Sequence, residues 1–195
     1  MLMRQINFGD HTARMQGRLN LNPLSHIDPV GFFMLVFAHI GWGKPVEINP
    51  RNFDRKISMS AGEAIVAFAG PLMNFILAFV LMIIYYVVQL NVSAAFMLST
   101  WGNVIFSTLY YAIIVNVGLG VFNLIPIPPL DGSKVLRNFL PYNARAWMDN
   151  HMQIFYIVFV LLWITNLLGV IINPVINGIL YGLHALVNAI FGIFI

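Results

Sequence analysis

The sequence contains four apolar runs, each long enough to cross a lipid bilayer as a helix. At a rise of about 1.5 Å per residue, roughly 20 apolar residues cross a hydrocarbon core of ~30 Å. The runs are Ala64–Leu90, Val104–Ile125, Met152–Ile172 and Val175–Ile195. Because lipid offers no hydrogen bonds to the backbone, each run is expected to be an α-helix. With 59% hydrophobic and 9% charged residues, the chain is predicted to be an all-α polytopic membrane protein with about four transmembrane helices.

The N-terminal part is more polar and is rich in X-Pro pairs, which predict short strands and loops. We therefore divide the chain into residues 1–57, a cytoplasmic or interfacial segment with a short apolar hairpin, and residues 58–195, a transmembrane domain. Within the first part, Val30–Trp42 is apolar but too short to cross a bilayer. It is interpreted as a re-entrant, interfacial or protein-covered segment. The pattern SAGE at Ser60–Glu63 predicts a capping box that opens the first long helix.

The positive charges indicate which ends of the helices face the cytoplasm. All ten Lys and Arg residues lie in Arg4–Lys56 or Lys134–Arg145, and Asn91–Asn103 contains none. Two crossings separate the basic regions, so both lie on one face, which the positive-inside rule makes cytoplasmic. The chain is thus expected to be a multi-pass protein of the cytoplasmic membrane with lipid as a partner. The net charge of +3 follows from this bias and gives no indication of nucleic-acid binding.

The stretch NLIPIPPLDG, Asn123 to Gly132, ends the second apolar run and carries the first acidic residue after Glu63. Its prolines remove amide donors and prevent a continuing helix, so an extended chain is expected. Gly132 would allow a sharp turn, after which SKVLRNFL is predicted to form a short amphipathic helix. A simple alternative is a helix stop with a solvated Asp131 at the membrane boundary, where a carboxylate costs little.

The pattern N-x-x-P-x-x-P-x-D-G after a transmembrane helix resembles the second signature of the site-2 protease family of intramembrane zinc metallopeptidases. Three further stretches resemble, in order, consecutive blocks of the compact bacterial branch of that family. They are GDHTARMQGRLNLNPLSHIDPVG, GWGKPVEINPRNF and AIVAFAGPLMNFILAF. The resemblance covers about residues 9–140 and implies a membrane-embedded protease fold.

The resemblance implies roles for two residues. Asp131 would be a zinc ligand, in a site where zinc takes three protein ligands and leaves one position for water. Asn123 would be catalytic, its amide donating to the developing oxyanion of the peptide carbonyl. An alternative for Asn123 is that its side chain bonds the loose carbonyl groups at the end of the helix.

The other implied zinc ligands and the general base, which family members take from an HExxH motif on an earlier helix, are absent from the sequence. The five histidines form no H-x-x-x-H pair: His11, His26, His39, His151 and His184. The chain is therefore interpreted as a family member truncated at the catalytic helix. A lone Asp131 is not expected to hold Zn²⁺ tightly, so zinc binding and proteolysis require that the missing helix be supplied.

Three functions follow as hypotheses. The first is an intramembrane zinc metalloprotease-like protein that hydrolyses peptide bonds of membrane proteins, inactive as this isolated chain. The second is a non-catalytic membrane protein that binds transmembrane peptides without cutting them. A transporter with broken helices is the third, although such proteins usually contain paired repeats, and the sequence contains none.

Overall fold

The computed structural model describes residues 22, 25, 27–38, 43, 44 and 58–192. Within them the chain forms eight helices: α1 (Pro29–Ala38), α2 (Met59–Asn91), α3 (Ala94–Met97), α4 (Thr100–Asn123), α5 (Asp131–Phe139), α6 (Tyr142–Asn150), α7 (Met152–Ile164) and α8 (Leu167–Gly192). The chain divides into two compact units, Met1–Val66 and Ala67–Ile195. Helix α2 begins in the first unit and ends in the second.

In the first unit, the short apolar run forms helix α1, and the chain before this helix pairs with the chain after it. The Asp28 carboxylate accepts a hydrogen bond of 2.9 Å from the Gly31 amide and so caps the helix. Ile27 and Gly43 form an isolated antiparallel bridge, so the chain returns to its starting point after the helix. At ten residues, α1 is about 15 Å long, half of a bilayer core. For the remainder of residues 1–57, which lies outside the described residues, the predicted strands stay a prediction.

Three described helices are long and apolar enough to cross a membrane: α2, α4 and α8. The first two correspond to the first two predicted spans. Helices α6 and α7 are bent against each other by 69° and add a fourth span only if the pair is counted as one. Helix α7 alone has 13 residues, or about 20 Å, which is too short to cross.

The predicted boundary between the third and fourth spans is wrong. The sequence interpretation placed it at Asn173 and Pro174, whereas α8 runs continuously through Pro174. The break comes earlier, at Asn166, whose φ of 56° lies in the left-handed region and ends the helical path after α7. Asn tolerates this conformation better than other non-glycine residues. A proline inside a transmembrane helix is tolerated because neighbouring groups can satisfy the carbonyl that it leaves unpaired.

The predicted capping box at Ser60–Glu63 is also displaced. Helix α2 begins at Met59, and the Ser58 hydroxyl accepts a hydrogen bond of 3.3 Å from the Ala61 amide. Ser58 therefore occupies the N-cap position, two residues before the serine assigned from the sequence. The helix then continues through Pro71.

The core of the second unit forms where α2, α4 and α8 meet. Its buried members are Ala78 and Met82 from α2, Ile113, Val117 and Val121 from α4, and Val187 from α8. A hydrogen bond of 3.1 Å between Tyr86 Oη and His184 Nδ1 joins α2 to α8 beside this core. It satisfies two polar groups that would otherwise face an apolar environment.

Gly120 allows α4 to lie close to an aromatic ring of α2. A Cβ atom at this position would lie 2.7 Å from Cε1 of Phe75, whereas one at Gly118 would lie at an ordinary 3.7 Å from Ile176. The two glycines share a helix and differ mainly in the space beside them.

We predict that Gly120→Ala lowers the thermal unfolding temperature in detergent, because overpacking costs about 1–3 kcal/mol. The control is Gly118→Ala, which should leave the temperature unchanged or raise it, since Ala is favoured over Gly in helices by about 0.5–1 kcal/mol. Unfolding followed by circular dichroism measures both. Equal shifts for the two variants would contradict the close contact.

Candidate functional site

The segment between α4 and α5 is a series of tight turns. The Ile127 amide donates to the Ile125 carbonyl at 2.9 Å, and the Leu130 amide donates to the Ile127 carbonyl at 3.0 Å. The second turn encloses Pro128 and Pro129, which are joined by a cis peptide bond, as in type VI turns. The extended chain expected from the sequence is therefore wrong. Ile127 lies between two of the prolines, and Leu130 follows the last of them. Both residues have amide groups, and the hydrogen bonds that these amides donate turn the chain back.

The end of this turn is connected to the start of α5 by Ser133. Its hydroxyl donates a hydrogen bond of 2.7 Å to the Leu130 carbonyl, and its amide donates to the same oxygen at 3.1 Å. Ser133 is only 5% exposed, so both bonds are protected from water. Asp131 becomes the first residue of α5, where a carboxylate interacts favourably with the positive end of the helix dipole.

A direct backbone contact places α5 against the end of α4. A Cβ atom at Gly132 would collide with the carbonyl group of Leu124 and lie 2.5 Å from the carbonyl oxygen of Ile125. Only glycine permits this approach. Since Leu124 follows Asn123 and Gly132 follows Asp131, the contact brings both predicted site residues to the same end of α4.

The Asp131 carboxylate lies between α2 and α5. A Cβ atom at Gly70 would lie 3.8 Å from Asp131 Oδ2, so the small residue on α2 leaves space beside this oxygen. Asp131 Oδ1 forms an ion pair of 3.3 Å with Lys134 Nζ. With its side chain 32% exposed, the carboxylate is open to a further ligand. Such an exposed pair contributes little to stability, so Lys134 can be displaced at low cost.

Asn123 is the last residue of α4 and is half-buried. The carbonyl groups of Gly120 and Val121 accept hydrogen bonds from the Leu124 amide, and that of Phe122 accepts from the Ile125 amide. Backbone donors thus cap this end of the helix. Within the described residues no hydrogen bond involves the Asn123 side chain, so its amide is available to a bound group. Its catalytic role stays a prediction.

The two described histidines have partners away from Asp131. The Nδ1 atom of His151 lies 2.7 Å from the Trp147 carbonyl oxygen, and the His151 ring stacks on the Trp147 ring. His184 forms a hydrogen bond with Tyr86. His11, His26 and His39 lie outside the described residues. Among the residues that the structure describes, no three His, Asp or Glu side chains come together to hold a metal ion. Those residues do not form a zinc site by themselves, and the role of Asp131 as a zinc ligand stays a prediction.

Two features of the site were missed in the sequence interpretation. Lys134, the counter-ion of Asp131, could have been found from the i, i+3 spacing on the predicted helix. The space at Gly70 depends on the packing of two helices distant in sequence, and no local signal indicates it.

Comparison with known proteins assigns the chain to a family. A model of Peptidase family M50 matches residues 90–166, which include the turn, Asn123 and Asp131. The "Putative zinc metalloprotease YwhC" of Bacillus subtilis (strain 168) is 38% identical over 187 residues, covering 94% of this chain and 82% of that protein. The chain belongs to the site-2 protease family, peptidase family M50. It is a multi-pass membrane protein of that family.

Two further relatives carry names of the same kind. The "Putative zinc metalloprotease Rip2" of Mycolicibacterium smegmatis is 34% identical over 163 residues, which are 80% of this chain and 57% of that protein. The "Zinc metalloprotease MJ0392" of Methanocaldococcus jannaschii is 35% identical over 79 residues, 40% of this chain and 20% of that protein. The chain therefore spans about half of Rip2 and a fifth of MJ0392. No solved structure matches the chain.

We predict that Gly132→Ala displaces α5 or strongly destabilises the protein, because the colliding atoms belong to the backbone and cannot rotate away. The expected loss is at the upper end of the about 1–3 kcal/mol for overpacking. The matched control is Gly178→Ala, a helical position where no described atom lies within 4 Å of the added Cβ. Thermal unfolding in detergent measures both. A Gly132→Ala variant as stable as the control would show that the contact is absent.

Proposed function

We propose that the chain provides the Asp-bearing part of an intramembrane zinc metalloprotease site, which hydrolyses peptide bonds of membrane proteins. The observation that carries the proposal is the position of the Asp131 carboxylate. It lies partly exposed at the end of a membrane-spanning helix, beside the space at Gly70 and near Asn123. Family membership supports a zinc-dependent reaction.

In this proposal Asp131 is one of three protein ligands, and the two others are histidines of an HExxH motif that the 195 residues do not contain. They come from a further N-terminal helix of the native product or from a second chain. A catalytic zinc ion in such a site lowers the pKa of its bound water towards about 7. Without those histidines the chain neither retains zinc nor cuts peptides.

The residues of this chain have three roles in the proposal. Asp131 offers Oδ2, the oxygen beside Gly70, while Lys134 holds Oδ1 until a stronger cation replaces it. Asn123, with backbone donors already capping its helix, directs its amide at a substrate carbonyl. The turn between them holds both at one helix end.

We also propose the orientation and the partners. The ends carrying Lys134, Arg137 and Arg145 face the cytoplasm according to the positive-inside rule. The partners are membrane lipid and a transmembrane peptide or protein substrate, with no nucleic acid.

The metal content of purified protein tests this function. The 195-residue chain should contain far less than one zinc per molecule, and a fusion with an N-terminal helix carrying HExxH should contain about one. In the fusion, Asp131→Asn should weaken zinc binding by more than the about 10–100-fold that loss of an outer-shell partner costs. It should also abolish cleavage of a membrane-protein substrate.

The matched control in the fusion is Asp149→Asn, which removes a carboxylate that is paired with Arg137 and should leave zinc binding unchanged. Stoichiometric zinc together with protease activity in the 195-residue chain would refute the requirement for HExxH. Full zinc binding in the fused Asp131→Asn protein would refute the role of Asp131.

A second candidate is a membrane protein that binds transmembrane peptides without cutting them. It is favoured because no three His, Asp or Glu side chains come together among the described residues to hold a metal ion. Photo-crosslinking to a transmembrane peptide, unchanged by Asp131→Asn and without cleavage in the fusion, would support it. The genomic reading frame ahead of Met1 provides an independent distinction, because an in-frame HExxH codon series supports the protease.

A further inference from the structure

Behind the Pro128–Pro129 turn lies a cavity of about 170 Å³. Its walls come from the turn and from α5, α6 and α7. The side chains that matter here are Lys134, Arg137, Asp149, Met148, Met152 and Tyr156. The volume is many times the about 10–15 Å³ that one water molecule needs, so a group of several heavy atoms fits. Asp131 does not line this cavity.

One wall carries two cations with unused hydrogen-bond donors. Lys134 and Arg137 are three positions apart on α5 and both line the cavity. Arg137 is fixed by an ion pair of 2.9 Å between its terminal nitrogen and Asp149 Oδ2. In the described part of the chain, each cation has one carboxylate partner, whereas an ammonium has three donors and a guanidinium five. The remaining donors can therefore bind an anion, and Asp149 holds the guanidinium in position for it.

The opposite wall and the surroundings are typical of a bilayer boundary. Met148, Met152 and Tyr156 form an apolar wall. Nearby on the outer surface, Tyr142 is 81% exposed and Trp147 is 55% exposed. Exposed Tyr and Trp side chains are enriched at the headgroup level of membranes. The site thus combines cations with apolar carbon and has beside it aromatic side chains of the kind that are enriched at the headgroup level.

We propose that this cavity binds a phosphate group between Lys134 and Arg137, and that a membrane phospholipid supplies it. Phosphate oxygens match the available donors, since Lys binds phosphate as a point charge and Arg can bind it through two parallel hydrogen bonds. The glycerol carbons of the lipid would lie against Met152 and Tyr156.

Lys134 connects this cavity to the candidate metal ligand. The same ammonium that lines the cavity pairs with Asp131 Oδ1 at 3.3 Å. A bound phosphate draws Lys134 away from Asp131, and removal of the Asp131 charge frees Lys134 for the phosphate. The coupling is reciprocal, as linkage requires. Its significance for catalysis rests on the proposed function, but phosphate binding itself does not.

Native mass spectrometry of the detergent-purified chain with added phosphatidylglycerol measures binding directly. We expect Lys134→Gln and Arg137→Gln each to weaken lipid binding by about tenfold or more, because each removes charge-assisted hydrogen bonds. The matched control is Lys44→Gln, which removes one charge from an exposed residue that does not line the cavity. It should change binding by less than about twofold, since salt screens the charge of an exposed residue that makes no contact with the bound group.

Two further variants distinguish lipid binding in the cavity from effects of surface charge and of misfolding. Met152→Trp fills the cavity and leaves every charge in place, and it should prevent binding. Arg137→Gln combined with Asp149→Asn removes the cation without leaving an unpaired carboxylate, and it should bind as weakly as Arg137→Gln alone. Unchanged binding in Met152→Trp and in the Lys134 and Arg137 variants would overturn the proposal.

Soluble ligands identify the source of the phosphate. Failure of inorganic phosphate and glycerol phosphate to displace the lipid supports a membrane lipid, while displacement at similar concentration supports the phosphate site but overturns the lipid assignment. Asp131→Asn should tighten lipid binding, and an unchanged affinity would overturn the coupling through Lys134. None of these measurements requires zinc or proteolysis, so their failure is distinguishable from failure of the proposed function.

Discussion

The contact between the Gly132 backbone and the Leu124 carbonyl group determines the geometry of the candidate site. It presses the first turn of α5 onto the last turn of α4. Asp131 and Asn123, each next to one partner in this contact, are positioned by it. The Ser133 bonds to Leu130 and the turn around Pro128 and Pro129 hold the same arrangement from the other side. A carboxylate placed by backbone packing is more rigid than one on a free loop, and catalytic groups require such rigidity.

Much of the fold could be predicted from hydropathy, because residues in lipid must be apolar over a fixed length. The long helices α2 and α4 were predicted on this basis and are confirmed. The break before α8 could not be predicted, because the sequence is equally apolar on both sides of Asn166 and a single residue in the left-handed conformation makes the turn. Pro174 gave the stronger local signal and was misleading. Its cost in a helix depends on neighbours that a local pattern does not specify.

The candidate site was predicted in part. Asp131 and Asn123 became candidates through the order of residues in NLIPIPPLDG, and their roles stay predictions. Their surroundings depend on contacts between distant segments. The space at Gly70 comes from α2, and the cavity behind Pro128 and Pro129 comes from the bend between α6 and α7. Neither has a local sequence signature, because each arises only when the helices pack together.

The hydrogen bond between Tyr86 and His184 has a consequence for the last helix. In an apolar medium, breaking it leaves two polar groups without partners. Rotation of α8 about its own axis would carry His184 away from Tyr86 and would also expose Val187, which is fully buried against α2 and α4. His184 of the polar pair and Val187 lie one turn apart on α8. Both therefore favour the same rotational orientation of this helix about its axis. Helix α8 is thus held against α2 and α4 by a polar contact and an apolar contact that oppose the same rotation.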